Sequence, residues 1–294
     1  MNISPRLHKI IDTIEPCGTL ADIGCDHGYV AISALKQGKA ERAIAADVAK
    51  GPLDIAARNC ESEGVAGRVE LILSDGFKSI PDAADINCAV IAGMGGLLME
   101  RILREAFLTR FPNLHQLVLS PQSDLDAVRR LLIEELRFVI RTEYMVLDEG
   151  KYYYIMDVQV PAALPTPSLE GTQECTFKDI IGTQHSCNVK ECADKDFTSR
   201  GCEADEPGST GTYTEAEYMF GKDIATESGD IYMEFLGHRK AIVTEALSKA
   251  ALGTSESAKD KADKLRTELS MIEEAESKLL SNVSVSGQET FAST

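Results

Sequence analysis

Ala21-Asp22-Ile23-Gly24-Cys25-Asp26-His27-Gly28-Tyr29 closes a short apolar run, residues 19–23, and is the stretch whose reading decides the fold. Gly24 and Gly28 lack a Cβ, so the chain can turn tightly at the end of a strand and come close to a ligand. The spacing D-x-G-x-D-x-G departs from the G-x-G-x-x-G turn that seats a dinucleotide's pyrophosphate at a helix N-terminus. Two carboxylates in the turn repel phosphate and favour a cationic ligand that carries amine and hydroxyl groups. S-adenosylmethionine has that chemistry: a sulfonium, an amine, a ribose and no phosphate. A nicotinamide enzyme is disfavoured on the same ground.

Around this turn, strands and helices alternate. Ser4-Pro5 opens an amphipathic helix whose apolar residues Leu7, Ile10, Ile11 and Ile14 recur at helical steps. Strands are expected at 19–23, 42–47, 69–73, 86–92 and 114–120, with helices at 29–37, 50–63, 97–107 and 124–136. Crossover helices between strands give a doubly wound α/β sheet, parallel in its first five strands, with ligands at the carboxyl ends. Two final strands, 138–147 and 152–160, have no helix between them and read as an edge hairpin.

After residue 160 the pattern changes. Residues 161–212 are rich in Pro, Ser, Thr and Gly and read as a flexible insertion between a domain at 1–160 and a helical hairpin at 213–281. Thr214-Glu215-Ala216-Glu217 matches a capping box, and helical patterns follow at about 230–252 and 258–280. Ala262, Leu265, Leu269, Ile272 and Leu279 form the seam of a short coiled-coil-like pair, and residues 282–294 read as a disordered tail. The insertion holds Cys175, His185, Cys187, Cys192 and Cys202, whose C-x11-C-x4-C-x9-C spacing lacks the two tight knuckles of a typical zinc site, so no metal is expected.

The net charge is −17, with 17 basic against 23 acidic side chains in residues 1–160 and 13 against 24 in the rest. Neither half has the basic footprint usual for nucleic-acid binding, so any RNA contact must come from a local patch. No apolar stretch approaches the length of a membrane span, and the first residues show no signal-peptide core. A soluble cytoplasmic protein with reduced thiols is expected.

The strand ends supply the candidate chemistry. Asp47 ends the second strand about twenty residues beyond the glycine turn, where an acid accepts from both ribose hydroxyls. Asp75-Gly76 ends the third in the same way, with a carboxylate that could accept from the exocyclic amine of an adenine if the fold is a doubly wound methyltransferase. Ile91-Ala92-Gly93-Met94-Gly95-Gly96 ends the fourth, leaving exposed backbone and room for a flat base. Ser120-Pro121-Gln122 ends the fifth, with the Gln122 amide able to donate to and accept from a base edge. His27 reads as a pocket wall.

Taken in order, these motifs, with Arg6-Leu7 in the first helix, Ala45-Ala46-Asp47-Val48-Ala49-Lys50-Gly51-Pro52, Ser74-Asp75-Gly76-Phe77, Asp148-Glu149-Gly150-Lys151-Tyr152-Tyr153 and the segment 213–221, resemble the bacterial tRNA (adenine-22-N1)-methyltransferase family. The resemblance implies a Rossmann-like class I methyltransferase sheet with a small C-terminal α-helical domain. It further implies S-adenosyl-L-methionine held by Asp22, Gly24, Asp26, His27, Gly28, Asp47, Val48, Asp75, Gly76, Gly93 and Met94. The family's common form at the second strand is Gly-Glu-Val, where this chain has Ala46-Asp47-Val48, an acid one methylene shorter. Residues 161–212 have no counterpart in the resemblance.

On that reading the chemistry needs alignment more than a general base, because adenine N1 already offers a lone pair. Asp26 and Gln122 are the candidates for stabilising charge as it moves to the base. Arg6, Lys9, Arg101, Arg104, Arg129 and Arg130 are the cations expected near the mouth for tRNA. A small-molecule methyltransferase and a non-catalytic adaptor are the competing expectations.

Overall fold

A computed structural model describes residues 3–106, 110–161 and 212–289, the last eight of these by backbone only. The helix α1 (Pro5–Thr13) starts where Ser4 Oγ accepts from the Leu7 amide with proline at the first turn, and it buries Ile10 and Ile11. Five strands follow in a parallel arrangement: β1 (Cys17–Ile23), β2 (Ala40–Asp47), β3 (Val69–Leu73), β4 (Cys88–Ala92) and β5 (Gln116–Ser120). Helices α2 (Tyr29–Lys36), α3 (Lys50–Ser62) and α4 (Gly96–Glu105) connect β1 to β2, β2 to β3 and β4 to β5, a helix-free segment joins β3 to β4, and α5 (Leu125–Arg130) follows β5. A π-helical turn at Leu131–Glu135 continues α5, where one continuous α-helix to 136 is expected from the sequence.

β6 (Val139–Asp148) and β7 (Lys151–Gln159) form the expected hairpin, with β7 antiparallel to β5, and the sheet order is β3-β2-β1-β4-β5-β7-β6. The chain leaves β1 toward β2 on one side and returns to β4 on the other, so the two connections diverge and open a crevice at the carboxyl ends of the strands. Strands β4 and β5 are buried almost throughout, as strands covered on both faces should be. Ile10, Ile32, Leu35, Val90, Val118 and Ile155 share one core that joins α1 and α2 to the sheet.

The C-terminal part comprises α6 (Glu215–Phe220), α7 (Gly229–Ala250) and α8 (Glu256–Glu289). Both bonds of the capping box form at α6: Thr214 Oγ1 accepts from the Glu217 amide at 3.2 Å, and Glu217 Oε2 accepts from the Thr214 amide at 2.8 Å. The helix pair does not stand apart from the sheet. Met145 and Tyr154 of the hairpin share a buried cluster with Phe220, Tyr232, Leu236, Ile272 and Leu279. The hydroxyls of Tyr154 and Tyr232 both donate to the Phe220 carbonyl, at 3.0 and 2.9 Å. The described residues up to 161 and those at 213–289 accordingly belong to one compact unit. α8 continues to Glu289, past the point where the sequence reads as a disordered tail. Residues 162–211, with the cysteines and histidine of the insertion, lie outside the described residues, as do 290–294.

Candidate active site at the strand ends

The turn after β1 is held from inside and from the side. Gly24 and Cys25 both donate their amides to the Ala46 carbonyl of β2, at 2.8 and 3.0 Å, and Gly28 donates to Cys25 O at 2.8 Å. Gly24, Asp26 and Gly28 all have positive φ, +72°, +49° and +74°. Asp26 tolerates that conformation better than most side chains, and the glycines carry it without strain. A Cβ on Gly24 would stand 2.8 Å from Met94 Cε, so the β1 and β4 loops meet there.

The three acids of this region do different work. Asp22 is buried and turns inward: its Oδ2 accepts from the Ala31 amide at 3.2 Å, supplying the N-terminal acceptor for α2 that Gly28 at the cap position lacks. Burial pushes its carboxyl up to about 7; the Ala31 amide opposes this, and the negative Asp47 and Asp26 add to it. Asp47 faces the crevice, its Oδ2 accepting from the Asp26 amide at 3.2 Å and its Oδ1 from the Ala49 amide at 2.9 Å. Those two bonds fix the carboxylate and leave each oxygen a second lone pair for a ligand hydroxyl. The Asp26 side chain is exposed, with His27 Nε2 3.6 Å from its Oδ1. His27 packs edge-on against Tyr29, and its carbonyl is held by Asn59 Nδ2 at 2.9 Å.

Beside Asp47 two large apolar side chains face solvent, Val48 at 71% and Leu73 at 57% exposure. They sit at the ends of paired strands, since Asp47 and Leu73 are in register. An apolar pair at the mouth of a crevice suits the face of a flat ring. Leu73 escapes sequence reasoning because it ends a five-residue apolar strand and looks like core.

Asp75 does not offer a free carboxylate. Arg101 donates to Asp75 through both terminal nitrogens, at 2.9 and 2.8 Å, and Lys78 Nζ donates to Asp75 Oδ2 at 2.8 Å. These cations hold the Asp75 carboxyl well below the usual carboxylate range. A base amine there would share oxygens already engaged.

The β4 and β5 loops are locked together. Gln122 donates its amide to Met94 O at 2.9 Å, and Gly96 donates to Ser123 O at 3.0 Å. Gly96 is required, because a Cβ would overlap the Ser123 carbonyl and approach Asp124 O to 2.7 Å. The Gln122 side chain is exposed beside the 93–96 loop. Gly93, with φ +81°, and Gly76, with φ +64°, complete the positive-φ glycines at the strand ends.

Of the six cations expected at the mouth, Arg129 must be withdrawn. It is fully buried, paired with Glu143 at 2.7 Å, and donates to the carbonyls of Tyr218 and Met219. It faces the interior because it falls on the apolar face of α5 with Leu125, Val128 and Leu132. Arg101 also meets Glu105, Arg104 meets Glu100 and Glu135, Arg130 meets Glu134 and Glu215, and Lys9 meets Glu227. Arg6 has no ion pair among the described residues. It lies over the Tyr153 ring at 4.6 Å.

The family model described as a methyltransferase domain matches residues 3–156, the span that builds this crevice. The chain belongs to that family. The chain is 31% identical over 156 residues to the tRNA (adenine(22)-N(1))-methyltransferase of Bacillus subtilis (strain 168), a match that covers 53% of this chain and 64% of that protein. It is 34% identical over 173 residues to a putative tRNA methyltransferase of Mycoplasma pneumoniae, covering 58% of this chain and 73% of the relative. Among solved structures, an uncharacterized protein from Listeria monocytogenes superposes with a TM-score of 0.71 at 23% identity, covering 93% of this chain and 99% of the other. A putative tRNA (m1A22) methyltransferase of Streptococcus pneumoniae in complex with S-adenosyl-L-methionine gives 0.67 at 21%, covering 94% and 100%. These structural matches extend the shared fold through the C-terminal helices. Among the described residues no helix is long and apolar enough to cross a membrane, and no three metal-ligating side chains converge.

Proposed function

We propose that this chain is a cytoplasmic enzyme that transfers a methyl group from S-adenosylmethionine to N1 of adenine 22 in tRNA. The observation that carries the reading is Asp47, fixed by two amides at the end of β2, beside the exposed Val48 and Leu73 and across from the Gly24–Met94 contact. The residues fit the cofactor: a preset carboxylate for the ribose hydroxyls, an apolar pair for the adenine, and acids with no phosphate-binding turn. The named relatives of Bacillus subtilis and Mycoplasma pneumoniae supply the substrate class.

Bound there, S-adenosylmethionine supplies a methyl group activated by its positively charged sulfur. The protein's part is alignment. The Gly93–Gly96 loop, tied to the Gln122 and Ser123 backbone, leaves space above the crevice for the target base. Asp26 and Gln122 present exposed polar side chains on either loop, to stabilise the positive charge that the base acquires. No side chain is asked to remove a proton before the transfer.

The acidic surface favours a second reading, methylation of a small molecule, since four of the five remaining cations are already paired with acids. Incubating the full chain with labelled cofactor, in parallel with bulk tRNA and with a metabolite extract, separates the two. Label at an adenine of the tRNA, mapped by nuclease digestion, is the expected result. Label confined to the extract would replace this proposal with the second reading.

A further inference from the structure

Arg6 stands apart from the other five cations expected at the mouth. Its guanidinium carbon lies 4.6 Å from the Tyr153 ring centre, and its Nη2 is 3.4 Å from where a Cβ on Gly93 would be, directly beside the end of β4. Its Nε is buried with no hydrogen-bond partner among the described residues. Lys9, Arg101, Arg104, Arg129 and Arg130 each meet at least one carboxylate, whereas no carboxylate pairs with Arg6 among the described residues. A half-buried guanidinium held in one orientation without a counter-charge is set up to receive an anion, and its planar fork matches a carboxylate in bidentate geometry.

The charges of the crevice say which anion. Asp26 and Asp47 sit together at the β1 and β2 ends, where their carboxylates match positive groups. The cofactor assigned above carries two positive groups, its sulfonium and its ammonium, and one negative group, the carboxylate at the end of its amino-acid chain. Acids cannot receive that carboxylate. Arg6 is the cation on the opposite, β4 side, and its stacking on Tyr153 keeps it over the loop rather than reaching outward toward a polyanion in solvent. We infer that Arg6 binds the α-carboxylate of S-adenosylmethionine and of its product, and is a cofactor-binding residue rather than an RNA contact. This inference rests on the function proposed above.

The test compares two ligands on the full chain by calorimetry. S-adenosylhomocysteine carries the amino-acid chain; 5′-methylthioadenosine keeps the adenosine and the sulfur but has no carboxylate. Arg6→Met keeps a long side chain over Tyr153 and removes the charge. It should weaken S-adenosylhomocysteine by about thirtyfold, the loss of a charge-assisted pair, and leave 5′-methylthioadenosine within about twofold. Arg6→Lys should restore part of the difference. Unchanged S-adenosylhomocysteine affinity overturns the inference, and so does an equal loss for both ligands, which would mean that Arg6 only supports the pocket. A raised KM for tRNA with cofactor affinity intact overturns it in favour of a phosphate contact. If the wild-type chain binds neither ligand, the proposed function falls, and this inference with it.

Discussion

Arg129 and Glu143 face each other at 2.7 Å with no solvent exposure on either side chain, and their pairing joins the sheet to the C-terminal helices. Arg129 also donates to Tyr218 O and Met219 O and lies 4.9 Å from the Tyr154 ring centre, while Glu143 Oε1 accepts from the Lys222 amide. All three guanidinium nitrogens and both carboxylate oxygens of the pair are therefore engaged.

Breaking this pair from one side should be costly. Glu143→Gln leaves a buried guanidinium without its counter-charge, and a loss of about 3 to 5 kcal/mol is expected in denaturant unfolding. Arg129→Met combined with Glu143→Leu should lose less than either partner changed alone, because no isolated charge remains. If the double variant is the least stable of the three, the pair contributes net stability and the accounting here is wrong.

Asp47→Ala removes the carboxylate that we propose for the ribose hydroxyls and that holds the Asp26 amide. Affinity for S-adenosylhomocysteine should fall by about 1 to 3 kcal/mol, read by calorimetry. Unchanged affinity would remove the ribose assignment.

Asp22 links stability to pH in the direction opposite to a salt-bridged acid. Its folded-state value, raised to about 7, exceeds that of the unfolded chain, so the folded protein holds the extra proton between about pH 4 and 7. This residue's contribution therefore falls as pH rises through that window and is level above it. Asp22→Asn keeps an acceptor for the Ala31 amide and removes the charge. The gap in unfolding free energy between variant and wild type should widen in the variant's favour by up to about 4 kcal/mol from pH 4 to 7. A pH-independent gap would show that Asp22 is not protonated at neutral pH.

Gly96→Ala forces a methyl group against the backbone of Ser123 and Asp124, which cannot swing away as a side-chain end can. A loss of at least about 2 kcal/mol is expected, with slower methyl transfer, because the loops that frame the base separate. Gly38→Ala is a useful contrast, since its Cβ meets nothing and only its φ of +71° opposes the change. A smaller loss at Gly96 than at Gly38 would contradict the packing argument.

Binding of tRNA should show a shallow salt dependence. With Arg129 buried and four other cations paired with acids, few phosphates can be neutralised, and a slope of about −2 to −4 in log affinity against log salt is expected. A slope near −8 would reveal a basic surface elsewhere.

The sheet is legible because its strands are short apolar runs, three of the five parallel ones (β1, β3 and β4) ending in Asp-Gly or Gly-rich turns, and the hairpin because nothing helical separates residues 139–148 from 151–159. What stayed hidden depends on contacts distant in sequence. Asp22 and Asp47 look alike as strand-end acids, yet only the path of α2 turns one inward to an amide. Arg129 reads as half of an exposed Arg-Arg pair until its spacing from Leu125, Val128 and Leu132 is noticed, and its partners lie 14 and about 90 residues away. Asp75 reads as a free ligand group because Arg101, which occupies it, is 26 residues on. The π-helical turn after α5 has no periodic signature in a five-residue stretch.

The outer side of β6 is where the chain's order of synthesis matters. Glu143 donates its amide to Asp223 O and accepts from the Ala225 amide, so a short segment from beyond residue 212 lies along what is otherwise an open sheet edge. While the chain is being made, β6 emerges some 80 residues before that cover, an interval of roughly 4 to 16 s at ordinary elongation rates. Through that interval a nascent sheet would present unpaired backbone, an arginine without its carbonyl partners, and the apolar side of Met145 and Tyr154. A fragment released from a ribosome stalled before residue 213 would therefore keep this edge uncovered and be prone to pair edge to edge.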